Sequence, residues 1–286
     1  MEWLSKSKIL IVGLGLIGGS YARALTRLGF SVSAIDTKKE TIDYALENGI
    51  ITEGYTYPDE RAISESDAVI FALYPRVFTE WIEKHQHLFK SGAMISDVTG
   101  VKSPIVYDIQ NMLRDDVEFV AAHPMAGREV YGVENSDDRI FRDANYIIIR
   151  TDKNSDKGIE WCRSLGQLLG FARTPVLSPE EHDEMIGFVS QLTHCIAVAL
   201  MTCSDNAHLV EYTGDSFRDL TRIARINDAM WSELFLMNRE PLLRQMDTFI
   251  NECNELRAML EREDREGLRE KMRLSSERRA LFDKKR

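Results

Sequence analysis

Residues 8–23, K-I-L-I-V-G-L-G-L-I-G-G-S-Y-A-R, constrain this chain more than any other stretch. Residues 9–12 are a short β-branched and apolar run, the pattern of a strand buried on both faces of a parallel sheet. Gly13, Gly15 and Gly18 follow at once as G-x-G-x-x-G, and residues 20–28 then read as a helix. In such a unit the first glycine permits the tight turn, the second lets the backbone approach a pyrophosphate, and the third lets the helix pack closely on the strand. The free N–H groups and positive dipole end of the helix attract the phosphates. The expected cradle is therefore Gly13, Leu14, Gly15, Leu16, Ile17 and Gly18. A second apolar strand, Ser31–Ile35, ends in Asp36, near the offset of about 20 residues for an acid that binds a ribose diol. A carboxylate there repels a 2′-phosphate, so NAD is expected in preference to NADP, although Lys38 and Lys39 soften that repulsion.

The alternation continues. Residues 68–73, 93–96, 118–122, 145–150 and 172–176 read as further strands, with helices expected at 76–90, 101–113 and 155–169. Strands alternating with helices predict an α/β fold with a parallel sheet covered on both faces, a Rossmann-type dinucleotide-binding domain. Ligands of such sheets sit at the carboxyl ends of the strands. That rule selects Leu73 to Pro75, Asp97 to Gly100, and His123-Pro124 in addition to the glycine turn and Asp36.

At Ser178 the character changes. Ser178-Pro179-Glu180-Glu181 is a helix start, with an N-cap serine, proline at the first helical position and acids in the first turn. No convincing strand follows. The expected organisation is a nucleotide-binding domain over 1–177 and an all-helical substrate and dimerisation domain over 178–286. Residues 185–203 are apolar almost all round, yet Ser190, Gln191, Thr193 and His194 sit in their middle. That reads as a helix buried in a core and shared across a homodimer rather than a membrane span. Residues 252–286 read as a solvated helical face with i,i+4 pairs.

A length of 286 residues accommodates two domains, and a net charge of −10 argues against a nucleic-acid partner. Four cysteines without C-x-x-C spacing fit reduced thiols in the cytoplasm, and residues 1–8 show no apolar leader. No metal-ligand cluster is evident.

Three groups carry candidate chemistry. His123 lies at a strand's carboxyl end; a loop histidine satisfied by backbone is the plainer alternative. Ser190, Gln191 and His194 form a polar stripe at helical spacing, which a buried histidine satisfied by its neighbours also explains. Residues 217–225, F-R-D-L-T-R-I-A-R, offer three arginines able to bind carboxylates, or to pair with surface acids such as Asp219.

Four motifs occur in order: G-L-G-L-I-G-G-S at 13–20, H-P-M-A-G at 123–127, S-Q-L-T-H at 190–194 and F-R-D-L-T-R-I-A at 217–224. Together they resemble the prephenate dehydrogenase family of tyrosine biosynthesis, over nearly the whole chain. The resemblance implies NAD(P)-dependent oxidative decarboxylation of prephenate to 4-hydroxyphenylpyruvate, or of arogenate to tyrosine. It implies that His123 holds the substrate's ring hydroxyl and accepts its proton. Arg222 would bind a substrate carboxylate, His194 would lie near the substrate side chain, and Ser190 and Gln191 would line the pocket. Glu129 matches a gating acid and Trp231 a pocket wall. Two departures stand out. Many members have Gly-Ser where this chain has Thr99-Gly100, so Thr99 is expected to supply the hydroxyl; many also have histidine in place of Gln191. The appended regulatory ACT domain or chorismate mutase domain of some relatives is not expected here. The rival readings are a β-hydroxyacid-type dehydrogenase, which commonly uses a lysine on its helical domain, and a non-catalytic NAD sensor. No lysine occurs between residues 180 and 218.

Overall fold

A computed structural model describes residues 7–282; residues 1–6 and 283–286, the outermost parts of the N-terminal and Glu/Arg-rich segments, lie outside it. The chain opens with β1 (Lys8–Val12), α1 (Leu16–Arg27), β2 (Ser31–Ile35), α2 (Lys39–Glu47), β3 (Glu53–Tyr55), α3 (Glu60–Glu65), β4 (Ala68–Phe71), α4 (Pro75–His85), β5 (Met94–Asp97), α5 (Ser103–Met112) and β6 (Glu118–Phe119). The six strands form one parallel sheet in the order β3-β2-β1-β4-β5-β6. The order reverses at β1, so the crevice beyond the carboxyl ends of β1 and β4 is the topological switch point where such sheets take their ligands.

Alternation along β1 divides the interior. Ile9 and Ile11 point into an apolar core with Tyr21, Leu25, Trp161 and Leu165, while Leu10 and Val12 point into another with Phe71, Phe78, Ile82 and Ile105. Both faces are thus dry, which is why these strands read as unbroken apolar runs. Helix α1 starts at Leu16, four residues before the expected Ser20. Gly18 therefore lies inside its first turn, where an added Cβ would stand 1.9 Å from the Gly13 carbonyl oxygen. Gly13 itself has φ +93, a conformation that favours glycine.

The expected strand 118–122 is two strands in two sheets. Its chain leaves the parallel sheet after Val120, whose N–H still bonds the Ile95 carbonyl at 2.9 Å. It then enters a second sheet of three strands: β7 (Ala122–Pro124), β8 (Tyr146–Ile149) and β9 (Val176–Leu177), in the order β7-β8-β9. There β7 runs antiparallel to β8, and β9 parallel to it. His123 consequently sits within a strand of the smaller sheet, not beyond the end of a strand in the large one. Helix α6 (Asp156–Leu168) lies between β8 and β9 in the chain.

Ser178 closes a capping box with Glu181 and starts one continuous helix: α7 (Pro179–Ile186), a π-helical turn over Gly187–Leu192, and α8 (Thr193–Thr202). Ile186, Leu192 and Ala197 are buried, but Met185, Phe188, Val189 and Met201 are exposed in the single chain, so the helix is covered on one side only. By length and hydropathy this helix alone among the described residues would suit a membrane span. Short helices α9 (Leu209–Tyr212) and α10 (Asp215–Thr221) lead to α11 (Asp228–Met237). The first compact unit runs through Asn238. The second unit holds α12 (Arg239–Glu261) and α13 (Arg265–Ala280), with Lys271 paired to Glu252 and Glu255. No strand follows Leu177 among the described residues.

The glycine turn yields a paired expectation. Gly18→Ala forces a Cβ against backbone and costs about 1–3 kcal/mol of overpacking strain, seen as a Tm several degrees lower. Gly15→Ala meets no atom within 4 Å, so it leaves Tm in place and weakens dinucleotide binding in a calorimetric titration. Equal Tm values for the two variants would refute the close-packing role of Gly18.

Candidate active site

The cradle is built from backbone. Gly15 is the N-cap of α1 and supplies no side-chain cap, so the first-turn N–H groups remain available to an anion. Asp36 closes the cradle from the end of β2. Its Oδ2 accepts from the Leu14 N–H at 2.8 Å and its Oδ1 from the Lys38 N–H at 2.9 Å. Leu73, just beyond β4, packs over the turn, with its Cδ2 2.9 Å from where a Gly13 Cβ would stand. An open Cβ position at Gly15, an uncapped helix start and a carboxylate beside them fit the pyrophosphate and ribose of a dinucleotide.

Beside the cradle lies a buried polar network. Asp97 ends β5 and is 1% exposed; Lys102, just before α5, is 0% exposed. Lys102 Nζ donates to Asp97 Oδ2 and to the Ala122 carbonyl, both at 2.7 Å, and to Thr99 Oγ1 at 3.2 Å. Asp97 Oδ1 accepts from the Ala122 N–H at 3.2 Å, while its Oδ2 also accepts from the Thr99 N–H and hydroxyl. These bonds correct two expectations. Asp97 faces this network rather than a cofactor, and the Thr99 hydroxyl is bound to Asp97, Lys102 and the Val101 carbonyl, so it is not offered to substrate. Burial lowers the Lys102 pKa against the opposing pull of Asp97.

The network positions His123 on β7, the residue after Ala122. Its Nδ1 is 2.9 Å from His182 Nε2, and His182 Nδ1 is 2.8 Å from Asp183 Oδ1. Asp183 also accepts from the Lys102 and Ser103 N–H groups, both at 2.8 Å. His123 is partly exposed, and its Nε2 has no hydrogen-bond partner among the described residues. Burial, followed by the charges of His182 and Lys102, pushes the His123 pKa well below its usual value. A Cβ on Gly100 would lie 3.9 Å from His123 Cε1, in ordinary contact. It would also meet Leu234 Cδ1 at 3.5 Å and Cδ2 at 3.7 Å, so the place of the family serine is walled by Leu234 and His123 in this chain.

The outer wall comes from the helices after Leu177. His194 stacks on Trp231 with ring centroids 3.7 Å apart, and its Nδ1 donates to the Ser190 carbonyl at 2.9 Å. The Ser190 carbonyl thus orients the His194 ring. Burial lowers the His194 pKa, the Ser190 carbonyl and Glu129 oppose that, and Arg222 adds to it. Arg222 forms an ion pair with Glu129, not with Asp219; Arg218 pairs with Asp215 at 3.3 Å. Gln191 is another correction. It is buried, donating to the Leu234 carbonyl at 3.1 Å and accepting from Asn238 at 2.7 Å, so it fastens α11 rather than lining a pocket. Asn227, the N-cap of α11, reaches Tyr74 beyond β4 at 3.3 Å, and Glu233 accepts from the Arg76 N–H at 2.9 Å, which ties this wall to the parallel sheet. Among the described residues no group of His, Cys, Asp and Glu is arranged to hold a metal.

Comparison with known proteins decides the family. The model for the nucleotide-binding domain of prephenate dehydrogenase matches residues 21–171, and the model for its dimerization domain matches 178–274. The chain belongs to the prephenate dehydrogenase family. Prephenate dehydrogenase of Bacillus subtilis is 32% identical over 278 residues, covering 92% of this chain and 72% of its own. Cyclohexadienyl dehydrogenase of Zymomonas mobilis is 27% identical, covering 92% and 91%. The crystal structure of prephenate dehydrogenase from Aquifex aeolicus, in complex with hydroxyphenyl propionate and NAD+, superposes with a TM-score of 0.89 at 32% identity, covering 98% of this chain and 99% of that one.

In this member of the prephenate dehydrogenase family, three residues that the motifs do not announce, Lys102, His182 and Asp183, lie in the network behind His123. Lys102 looks like an exposed helix start, and His182-Asp183 extends an acidic first turn. The signal lies only in what they meet across the fold. Lys102→Met leaves the Asp97 carboxylate buried without its cation, a loss expected to cost about 3–5 kcal/mol in chemical denaturation. An unchanged midpoint would show that the pair is dispensable.

Proposed function

We propose that the protein is an NAD-dependent prephenate dehydrogenase that converts prephenate to 4-hydroxyphenylpyruvate with loss of CO2. The observation that carries the reading is His123, which is partly exposed and whose Nε2 is unbonded among the described residues, while its other nitrogen is held from behind by His182. A neutral imidazole so placed accepts the proton of the ring hydroxyl as that carbon becomes a carbonyl. When bound, NAD supplies the acceptor for the hydride leaving the same carbon. Release of CO2 from the opposite ring carbon restores aromaticity, so the protein has little carbanion charge to stabilise.

The remaining residues bind and orient. Gly13 to Gly18 and Asp36 hold the dinucleotide, and the Asp36 carboxylate favours NAD over NADP. Arg222 exchanges the Glu129 carboxylate for one on the substrate, and His194 on Trp231 forms the adjoining wall. The domain boundary is placed at Leu177, supported by the capping box at Ser178 and by family matches ending at 171 and beginning at 178. A cytoplasmic homodimer is the working assembly. Its support is the match to a dimerization domain, the exposed Met185, Phe188 and Val189, and four free cysteines.

Two measurements test this reading. The first follows NADH formation with prephenate and with arogenate as substrates. His123→Asn should lower kcat by roughly 10²–10⁴ and leave NAD affinity intact. Arg222→Gln should mainly raise KM, because its contact exists in ground and transition states alike. The base must be neutral, and its pKa lies below the usual 6.5. The wild-type kcat should therefore be full above pH 6.5 and fall only as pH drops through a lower midpoint. Near-normal kcat in His123→Asn, or an acid limb at or above pH 6.5, would move the base elsewhere. The second is sedimentation at micromolar concentration, where a dimer is expected and a monomer would refute the assembly.

A further inference from the structure

His123 is a useful base only if its cleft-facing nitrogen carries no proton, and a free neutral imidazole places its proton on either nitrogen. We infer that His182 and Asp183 are positioning residues that hold His123 in the tautomer with Nδ1 protonated and Nε2 bare. The inference deepens the function proposed above and rests on it.

The direction of each bond follows from what its partner can do. Asp183 is an acceptor fixed by two backbone donors: Oδ1 takes the Lys102 N–H and Oδ2 the Ser103 N–H. Hydrogen bonds to the charged form keep a carboxylate ionised, and the Asp183 pKa is indeed held below its usual value against the cost of burial. His182 Nδ1, 2.8 Å from Oδ1, must then be the donor. His182 is 0% exposed. The charged and titratable groups facing it are Asp183 on its own helix, Asp97 and Lys102 from β5 and the approach to α5, and His123 from β7. Asp97 and Lys102 neutralise each other at 2.7 Å, the Asp183 charge is shared with two amides, and burial favours the neutral ring. A neutral His182 with its proton on Nδ1 has only a lone pair on Nε2. His123 Nδ1, 2.9 Å away, must donate to it. Every donor in the row therefore points toward Asp183, and the last free lone pair is His123 Nε2.

The same row acts during the reaction. When His123 Nε2 takes the hydroxyl proton, the O–H electron pair stays on oxygen and the ring becomes an imidazolium. Its Nδ1–H already points at a lone pair backed by a carboxylate, so the new charge meets a prepared acceptor.

The test uses the full chain with ¹⁵N-labelled histidine and no ligand, above the acid limb of kcat. Wild type should show His123 with Nδ1 protonated and Nε2 bare. In His182→Leu the acceptor is gone. His123 should shift toward the other tautomer, kcat should fall at least about tenfold, within the roughly 10²–10⁴ that a general base contributes, and the acid limb should move to lower pH. KM for prephenate and NAD should stay within about twofold. His182→Gln places an amide oxygen where Nε2 stood and should restore both tautomer and most of kcat. A wild-type His123 protonated on Nε2 overturns the inference, as does a His182→Leu variant with unchanged kcat and acid limb. If His182→Leu does not fold, the wild-type tautomer and the His182→Gln rate decide. If wild type oxidises neither prephenate nor arogenate, the function fails, while the NMR result still judges the tautomer.

Discussion

A carboxylate and an ammonium, both shut off from water, hold the middle of this protein. Asp97 and Lys102 meet at 2.7 Å, and between them they grip Ala122 by its N–H and its carbonyl. A dry ion pair contributes little net stability, because removing both charges from water offsets most of their attraction. Its effect here is geometric. The parallel sheet ends at β6, and the chain must pass into a separate sheet at a set height. The pair fixes that crossing one residue before His123, so the imidazole inherits its place from the end of β5.

How much of this is written in residue order depends on the range of the force involved. The strand–glycine–helix unit and Asp36 are readable from residue type, because each acts through its own backbone: Gly13 at positive φ, Gly18 against a carbonyl, Asp36 on Leu14. Strand β3 is not readable, since Glu53-Gly54-Tyr55 has no apolar run and is a strand only because β2 offers it an edge. The split of residues 118–124 between two sheets is hidden for a related reason. Nothing in E-F-V-A-A-H-P marks the residue at which partnership passes from Ile95 to Ile149; the switch is made by what stands opposite.

The site divides in the same way. His123, His194 and Arg222 lie in motifs and Glu129 and Trp231 a few residues beyond them, and the structure joins His194 to Trp231 and Arg222 to Glu129. Lys102, His182 and Asp183 are invisible in order along the chain, because a lysine beside a helix start and an acid in a first turn are ordinary surface residues until they are buried together. Thr99 and Gln191 mislead for the opposite reason: each has the right chemistry at the right place, but a closer buried partner takes its polar atoms.

Asp183 has a mechanical consequence as well. Through its two oxygens it clasps the amides of Lys102 and Ser103, so α7 is riveted to the start of α5 across Leu177. A clamshell opening hinged at Leu177 would strip a charged oxygen from both amides in a dry interior, at about 1–3 kcal/mol for each group left unmade. The rim is looser. Arg222 and Glu129 are 63% and 40% exposed, and an exposed pair is worth about 0–1 kcal/mol. Traffic into the cleft should therefore pass through the rim, by parting of the Glu129 loop from the turn that carries Arg222, while the floor under His123 stays rigid from one turnover to the next.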